Sequence, residues 1–129
     1  PGPVVLALPE DMLTTPTAAP VLPRVEPARA WPAPGALRDL RARLVAARRP
    51  IVIAGGPGWD AESAQALQRF AENWQLPVAC AWRFQDSFDN RHPLYAGDVG
   101  IGINPRLAAR IKDADLVVAL GIRLGEMTT

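Results

Sequence analysis

Short apolar runs, bounded by glycine, proline or charged residues, recur along most of this chain. They lie at residues 51–53, 77–82 and 115–121. Uninterrupted apolar runs of this length are typical of strands that are buried on both faces, as in a parallel sheet. Because amphipathic segments alternate with these runs, the pattern predicts an α/β fold with a doubly wound parallel sheet.

Three amphipathic segments predict the helices. Asp60 is a suitable N-cap for a helix over residues 61–75, and Asn104 followed by Pro105 is a start signal for a helix over residues 104–112. The helix predicted over residues 36–48 is recognised by apolar positions that recur on one face: Leu37, Leu40, Leu44 and Val45.

Residues 83–103 follow neither pattern. Gly97, Gly100 and Gly102 punctuate this stretch, and we expect a loop without regular structure. A loop of about twenty residues inside a compact domain is usually functional or covered by a partner. The segment is therefore a candidate for either role.

The first third of the chain has a different composition. Residues 4–8 form an apolar run between two prolines, which suits the last strand of a preceding domain, and residues 9–34 contain seven prolines. Proline lacks an amide donor and fixes φ, so this segment predicts an extended linker between domains. A proline-rich ligand for a partner domain is the alternative. The absence of an initial methionine and the open edge of a three-stranded sheet predict a fragment of a longer protein.

Composition excludes several classes of function. A net charge of +1 gives no strong field that would attract nucleic acid, and no apolar run approaches the roughly 20 residues that a membrane span needs. The single cysteine, Cys80, excludes an internal disulfide and fits the cytoplasm; we expect it to be a small buried side chain. His92 is the only histidine, so no zinc site is predicted, and a hydrogen-bonding role in the loop is favoured over catalysis.

The turn after the first strand has two interpretations. Residues 56–61 fit the dinucleotide pattern G-x-G-x-x-A between a strand and a helix. Asp60, however, places a carboxylate where phosphate would bind, and the residue that follows the second strand is Arg83 instead of an acidic residue. An NADP site using Arg83 and glycines that only turn the chain both remain open.

Several of these segments together resemble a known family. Residues 2–11 read GPVVLALPED, residues 49–56 read RPIVIAGG, residues 92–97 read HPLYAG and residues 114–124 read ADLVVALGIRL. Their order and spacing resemble thiamine diphosphate-dependent enzymes of the acetolactate synthase, pyruvate oxidase and benzoylformate decarboxylase group. The resemblance implies that residues 1–12 are the last strand of the pyrimidine-binding domain, residues 13–34 the interdomain linker and residues 35–129 the N-terminal part of the central domain.

The resemblance also implies a fold and a function. The fold is a truncated form of a three-layer, Rossmann-like parallel sheet with helices on both faces. The parent enzyme is a lyase or transferase acting on carbon–carbon bonds next to a carbonyl, as an acetolactate synthase-like carboligase or a 2-oxo acid decarboxylase. It uses thiamine diphosphate and Mg²⁺, which this fragment does not bind, because the catalytic residues lie outside the sequence. The implied partners are the flanking thiamine-binding domains, within a homodimer or homotetramer.

Some central domains of this family bind FAD or ADP. The positions that match their binding residues are Gly55, Gly56, Gly100, Gly102 and Arg123. This sequence departs from the flavin-binding pattern, since Ile103 and Asn104 replace a His-Gly-Thr type segment and residues 124–126 replace Phe-Asp-Asp. These departures favour an empty site over FAD or ADP. The alternative to a domain fragment is an autonomous Rossmann-type nucleotide-binding module for NADP or FAD/ADP.

Overall fold

A computed structural model describes residues 3–26 and 30–125. The parts of the predicted strand, linker and central domain at residues 1, 2, 27–29 and 126–129 lie outside the described residues. The chain divides into two compact units, Pro1–Trp31 and Pro32–Thr129. In the first unit, the described residues form one short 3₁₀ helix, Glu10–Met12, and their side chains are exposed. Residues 4–8 are not in a strand there, so their assignment to a preceding domain remains a prediction.

Among residues 32–125, the described part of the second unit, there are three helices and four strands. In chain order, these are α1 (Pro34–Ala46), β1 (Pro50–Ala54), α2 (Ala61–Trp74), β2 (Val78–Ala81), β3 (Tyr95–Val99), α3 (Pro105–Asp113) and β4 (Leu116–Leu120), with a short 3₁₀ turn at Gln85–Ser87 between β2 and β3.

All the strands of this sheet run parallel, in the order β3-β2-β1-β4. The first hydrophobic cluster includes Leu44 of α1 and Leu67 of α2, and the second includes Leu107 of α3. The two clusters lie on opposite faces, because successive residues of β1 alternate between them: Val52 belongs to the first and Ile53 to the second. The prediction of an α/β, three-layer parallel sheet with helices on both faces is confirmed.

The start signals of two helices work as the sequence predicted. The Asp60 side chain accepts a hydrogen bond from the Ser63 backbone N–H over 2.8 Å, and Asn104 Oδ1 accepts one from the Arg106 N–H over 2.9 Å. Each bond satisfies an amide that has no partner inside its own helix. Helix α2 ends at Trp74, and its C-terminal cap, Gln75, has a left-handed φ of 52°.

The prediction of an irregular loop over residues 83–103 is wrong, because β3 lies within it. Gly97 and Asp98 belong to residue types that are depleted in strands, which hid this element. Gly97 has a φ of 119°, and the pairing of β3 with β2 is irregular at Val78/Ala79. A Cβ at Gly97 would lie 3.2 Å from Leu107 Cδ2, so the missing side chain lets α3 approach the sheet.

Two other expectations need correction. Helix α1 buries Leu44, but Leu37 and Val45, predicted on the same inner face, are 50% and 68% exposed. Strand β4, predicted to be buried, has one buried residue, Val118, and Val117 is 40% exposed. The exposure of β4 fits its place at the sheet edge, since among the described residues it has a hydrogen-bonded neighbour on the β1 side alone.

A carboxylate fastens the amino-terminal end of β1. The two oxygens of Asp115 accept hydrogen bonds from the backbone N–H groups of Arg48 and Arg49, each over 2.8 Å. These bonds, first that of Arg48 and then that of Arg49, hold the pKa of Asp115 below its ordinary value. Asp115 therefore ties the turn before β1 to the turn before β4.

We expect Asp115→Ala to lower the urea midpoint of the chain at pH 7, because two backbone donors lose their acceptor. A carboxyl whose pKa is depressed by folding stabilises the fold fully above about pH 4 and loses that effect as the pH falls through the folded pKa. The difference from wild type should therefore shrink below about pH 4 in urea titrations at stepped pH. Asp113→Ala is the matched control, since it removes a nearby carboxylate and retains the Asp113 carbonyl to which Arg49 bonds. Equal losses in both variants would contradict the assignment.

Candidate functional site

A crevice lies at the carboxyl-terminal edge of the sheet, where β1 and β4 end side by side. The chain proceeds outward from β1 through β2 to β3 and then returns to β4 on the other side of β1. Such a reversal of strand order is the place where open α/β sheets bind ligands. The crevice has a volume of about 540 Å³, and its walls include Gly56, Trp82, Arg83, Ile122 and Arg123.

The glycines of the β1 turn allow two strand ends to touch. Gly56 has a φ of 82°, and a Cβ there would overlap the carbonyl oxygen of Gly121, which follows β4. A Cβ at Gly55 would lie 2.6 Å from the Cβ of Ala81 at the end of β2. Gly56 is thus explained by close packing against the backbone of Gly121 and Gly55 by close packing against the Ala81 side chain, whatever the crevice binds.

The rest of the turn is held by its own side chains. The indole Nε1 of Trp59 donates a hydrogen bond to the Gly55 carbonyl over 2.9 Å. Asp60 caps α2 by accepting from the Ser63 N–H, so a carboxylate occupies the helix N-terminus at which a dinucleotide fold binds its diphosphate. The turn therefore does not fit a diphosphate on α2, and no binding step is derived from one.

The structure separates the five positions that match the flavin-binding members of the family. Gly56 and Arg123 line the crevice together, and Gly55 is buried behind them. Gly100 and Gly102 follow β3, which is two strands away from β1, and they do not line the crevice. A cofactor-binding role for these five positions stays a prediction.

Trp82 is a wall residue that the sequence pattern did not single out. It follows β2 directly and is 40% exposed, and the Arg83 guanidinium lies 4.3 Å from the centre of its ring. Its position in the sequence could have indicated this role, because residues that directly follow a parallel strand lie at the edge of the sheet where ligands bind. The apolar pattern places Trp82 inside the predicted strand instead.

His92 has the hydrogen-bonding role that its loop position predicted. Its Nδ1 accepts from the Leu94 backbone N–H over 3.1 Å, and its Nε2 lies 3.1 Å from Glu72 Oε1 on α2. Gln68, which also donates to this carboxylate, and then His92 hold the pKa of Glu72 below its ordinary value. The histidine thus fastens the segment before β3 to α2.

Cys80 is fully buried in β2, as predicted, and burial raises the pKa of its thiol to about 11. A thiol with such a pKa is a poor nucleophile at neutral pH. Within residues 3–26 and 30–125, no group of three His, Cys, Asp or Glu side chains is placed to hold a metal ion. No helix in the described ranges combines the length and apolar character required to cross a membrane.

The chain was compared with protein families and with curated proteins, and both comparisons found matches. Residues 37–129 match the family described as thiamine pyrophosphate enzyme, central domain. A 3D-(3,5/4)-trihydroxycyclohexane-1,2-dione hydrolase from Clostridium perfringens is 38% identical over 84 residues, which is 64% of this chain and 13% of the relative. A sulfoacetaldehyde acetyltransferase from Castellaniella defragrans is 32% identical over 129 residues, which is 99% of this chain and 21% of the relative.

The chain thus spans 13% and 21% of the length of these two curated relatives. The family match covers α1 from Leu37 onward and every later element of the second unit. The sheet order β3-β2-β1-β4, with helices on both faces, agrees with that match. The chain therefore belongs to the thiamine pyrophosphate enzyme family, and residues 37–129 are part of its central domain.

Proposed function

We propose that this chain is a non-catalytic part of the central domain of a thiamine diphosphate- and Mg²⁺-dependent enzyme acting on carbon–carbon bonds next to a carbonyl. The observation that carries this proposal is the family match over residues 37–129. When bound, thiamine diphosphate supplies the carbanion chemistry, and the protein orients it. The role of this chain is to provide a rigid layer between the domains that hold the cofactor.

The relatives support the class of substrate. Their names describe an acetyltransferase for sulfoacetaldehyde, an aldehyde, and a hydrolase for a trihydroxycyclohexane-1,2-dione, a diketone. Each substrate presents a carbonyl carbon to the enzyme. We therefore assign the parent protein to carbonyl substrates, with acyl transfer, carboligation, decarboxylation and hydrolytic cleavage of a carbon–carbon bond as the reactions to be distinguished.

The exposed edge of β4 supports a place inside a larger domain. Val117 is 40% exposed, and the strand has no neighbour on its outer side among the described residues. Unpaired strand edges invite pairing with a further strand. We propose that a later part of the parent chain pairs there and completes a six-stranded sheet. Flanking thiamine-binding domains, a homodimer or homotetramer and a cytoplasmic location complete the proposal.

The crevice at the ends of β1 and β4 is proposed to hold neither FAD nor ADP. Asp60 occupies the amides at the start of α2, and Gly100 and Gly102 lie away from the crevice. An autonomous nucleotide-binding module is the second hypothesis, and Arg83 and Arg123 are the cations it would use. Saturable binding of NADP(H), FAD or ADP at micromolar concentration would favour that hypothesis.

The proposal is tested by comparing the 129-residue chain with the full-length protein that contains it. With thiamine diphosphate, Mg²⁺ and a set of aldehydes and 2-oxo acids, we expect turnover by the full-length protein and none by the chain. The same preparations are titrated with NADP(H), FAD and ADP by calorimetry. Turnover by the chain, or its saturation by one of these nucleotides, would contradict the proposal.

A further inference from the structure

A second concave site, the arginine cleft, lies at the opposite edge of the sheet from the glycine turns. It has a volume of about 360 Å³ and forms where β1 and β2 begin, with Pro50 and Pro77 in its wall. Three arginines from two parts of the second unit also line it: the neighbours Arg48 and Arg49 before β1, and Arg110 in the last turn of α3. None of these residues lines the crevice, and the family resemblance assigns none of them to a ligand.

The charge of the arginine cleft is strongly positive for this chain. Its lining carries three guanidinium groups and one carboxylate, that of Asp113, whereas the whole chain has a net charge of +1. Asp115 lies close by, but both of its oxygens already accept backbone hydrogen bonds from Arg48 and Arg49. An anion entering the cleft would therefore meet more positive than negative groups.

The guanidinium groups are available to a ligand. Arg49 Nε donates to the Asp113 carbonyl over 2.6 Å, which orients its terminal nitrogens. In the described part of the chain, the guanidinium groups of Arg48 and Arg110 form no hydrogen bond and no ion pair. Arginine is suited to phosphate because its planar fork can bind two oxygens at once.

The remaining wall offers groups for hydroxyls. Gln75 Nε2 donates to the Glu72 carbonyl over 2.7 Å, so its side-chain oxygen is left as an acceptor. The Asp113 carboxylate is a second acceptor. The volume is at the lower end of the roughly 300–1,000 Å³ that is typical of small-molecule sites, which matches one small molecule.

We propose that the arginine cleft binds a small phosphate oxyanion, either inorganic phosphate or the phosphate group of a small hydroxylated ester. Arg48 and Arg110 contact the phosphate oxygens together with the oriented Arg49, and Gln75 and Asp113 accept from hydroxyls of an ester. This site is independent of the proposed function, because it lies at the edge of the sheet away from the crevice.

The test uses the full-length protein and two double variants with the same change of charge. The variant R48Q/R110Q removes two arginines from the cleft. The control R38Q/R106Q removes two exposed arginines outside the cleft, one from α1 and one from α3. Binding of inorganic phosphate and of glycerol 3-phosphate is measured by calorimetry at constant ionic strength, balanced with chloride. Phosphate sites elsewhere in the protein contribute equally to both variants.

We expect R48Q/R110Q to bind phosphate about tenfold more weakly than wild type, or worse, and R38Q/R106Q to bind like wild type. Tighter binding of glycerol 3-phosphate than of phosphate would identify an ester as the ligand, and the reverse order would identify the free ion. The single variant R110Q, which leaves the turn before β1 unchanged, should show the same direction if the double variant is unstable. Equal affinity in the two double variants, or no saturable phosphate binding by the wild type, would overturn the proposal.

Discussion

Replacing Gly56 with alanine is expected to lower the free energy of unfolding by about 3 kcal/mol or more. A Cβ at this position would overlap the carbonyl oxygen of Gly121, which is backbone and cannot rotate away. The φ of 82° adds a penalty for any residue that has a Cβ. Urea denaturation of the 129-residue chain, followed by tryptophan fluorescence, measures the loss.

Gly58→Ala is the matched control for this variant. Gly58 lies in the same turn with a φ of 96°, but a Cβ there would meet no heavy atom within 4 Å. We expect it to cost about 1 kcal/mol, the penalty for the backbone conformation alone. Equal losses at Gly56 and Gly58 would mean that contact with Gly121 is not what makes Gly56 necessary.

The two interpretations of this turn could not be separated from the sequence. A G-x-G-x-x-A pattern reports only that the backbone must turn sharply or come close to something. The partner that Gly56 approaches is Gly121, which is distant in the chain and adjacent only because β1 pairs with β4. The sequence pattern therefore locates the turn, but the contact that requires glycine at position 56 depends on the pairing of β1 with β4.

Elements whose environment is encoded locally were predicted well. Strand β1 is covered on both faces and has a strand on each side, so its apolar run matches its burial. Asp60 and Asn104 cap α2 and α3, as expected for an aspartate and an asparagine at these positions. Strand β3 was missed because Gly97 and Asp98 are held by pairing with β2 and by packing under α3, which are contacts from outside the segment.

The places of the candidate residues along the chain could be predicted in part for the same reason, whereas their role in binding a cofactor stays a prediction. Gly56 and Arg123 were correctly placed at strand ends, and strand order then brings them together in the crevice. Gly100 and Gly102 follow a strand that the sequence did not reveal, so their distance from β1 could not be foreseen. The arginine cleft combines residues from the turn before β1, the start of β1 and the last turn of α3, and no local pattern reports such a convergence.

Leu44→Ala is expected to lower the free energy of unfolding by about 3 kcal/mol. Leu44 is 5% exposed and belongs to the cluster that joins α1 and α2 to the sheet. Truncation removes buried apolar surface and leaves a cavity that the strands below cannot fill, because they are fixed by their hydrogen bonds. Urea denaturation of the 129-residue chain is again the measurement.

Leu37→Ala, in the same helix, is the matched control and tests the corrected face of α1. Both leucines were predicted on the inner face, but Leu37 is 50% exposed and should cost less than about 1 kcal/mol. If Leu37→Ala lowered the free energy of unfolding as much as Leu44→Ala, both leucines would lie on the buried face of α1, as the sequence pattern predicts. If Leu37→Ala becomes costly only in the full-length protein, the exposed side of α1 is covered there by another part of the enzyme, as the open edge of β4 leads us to expect.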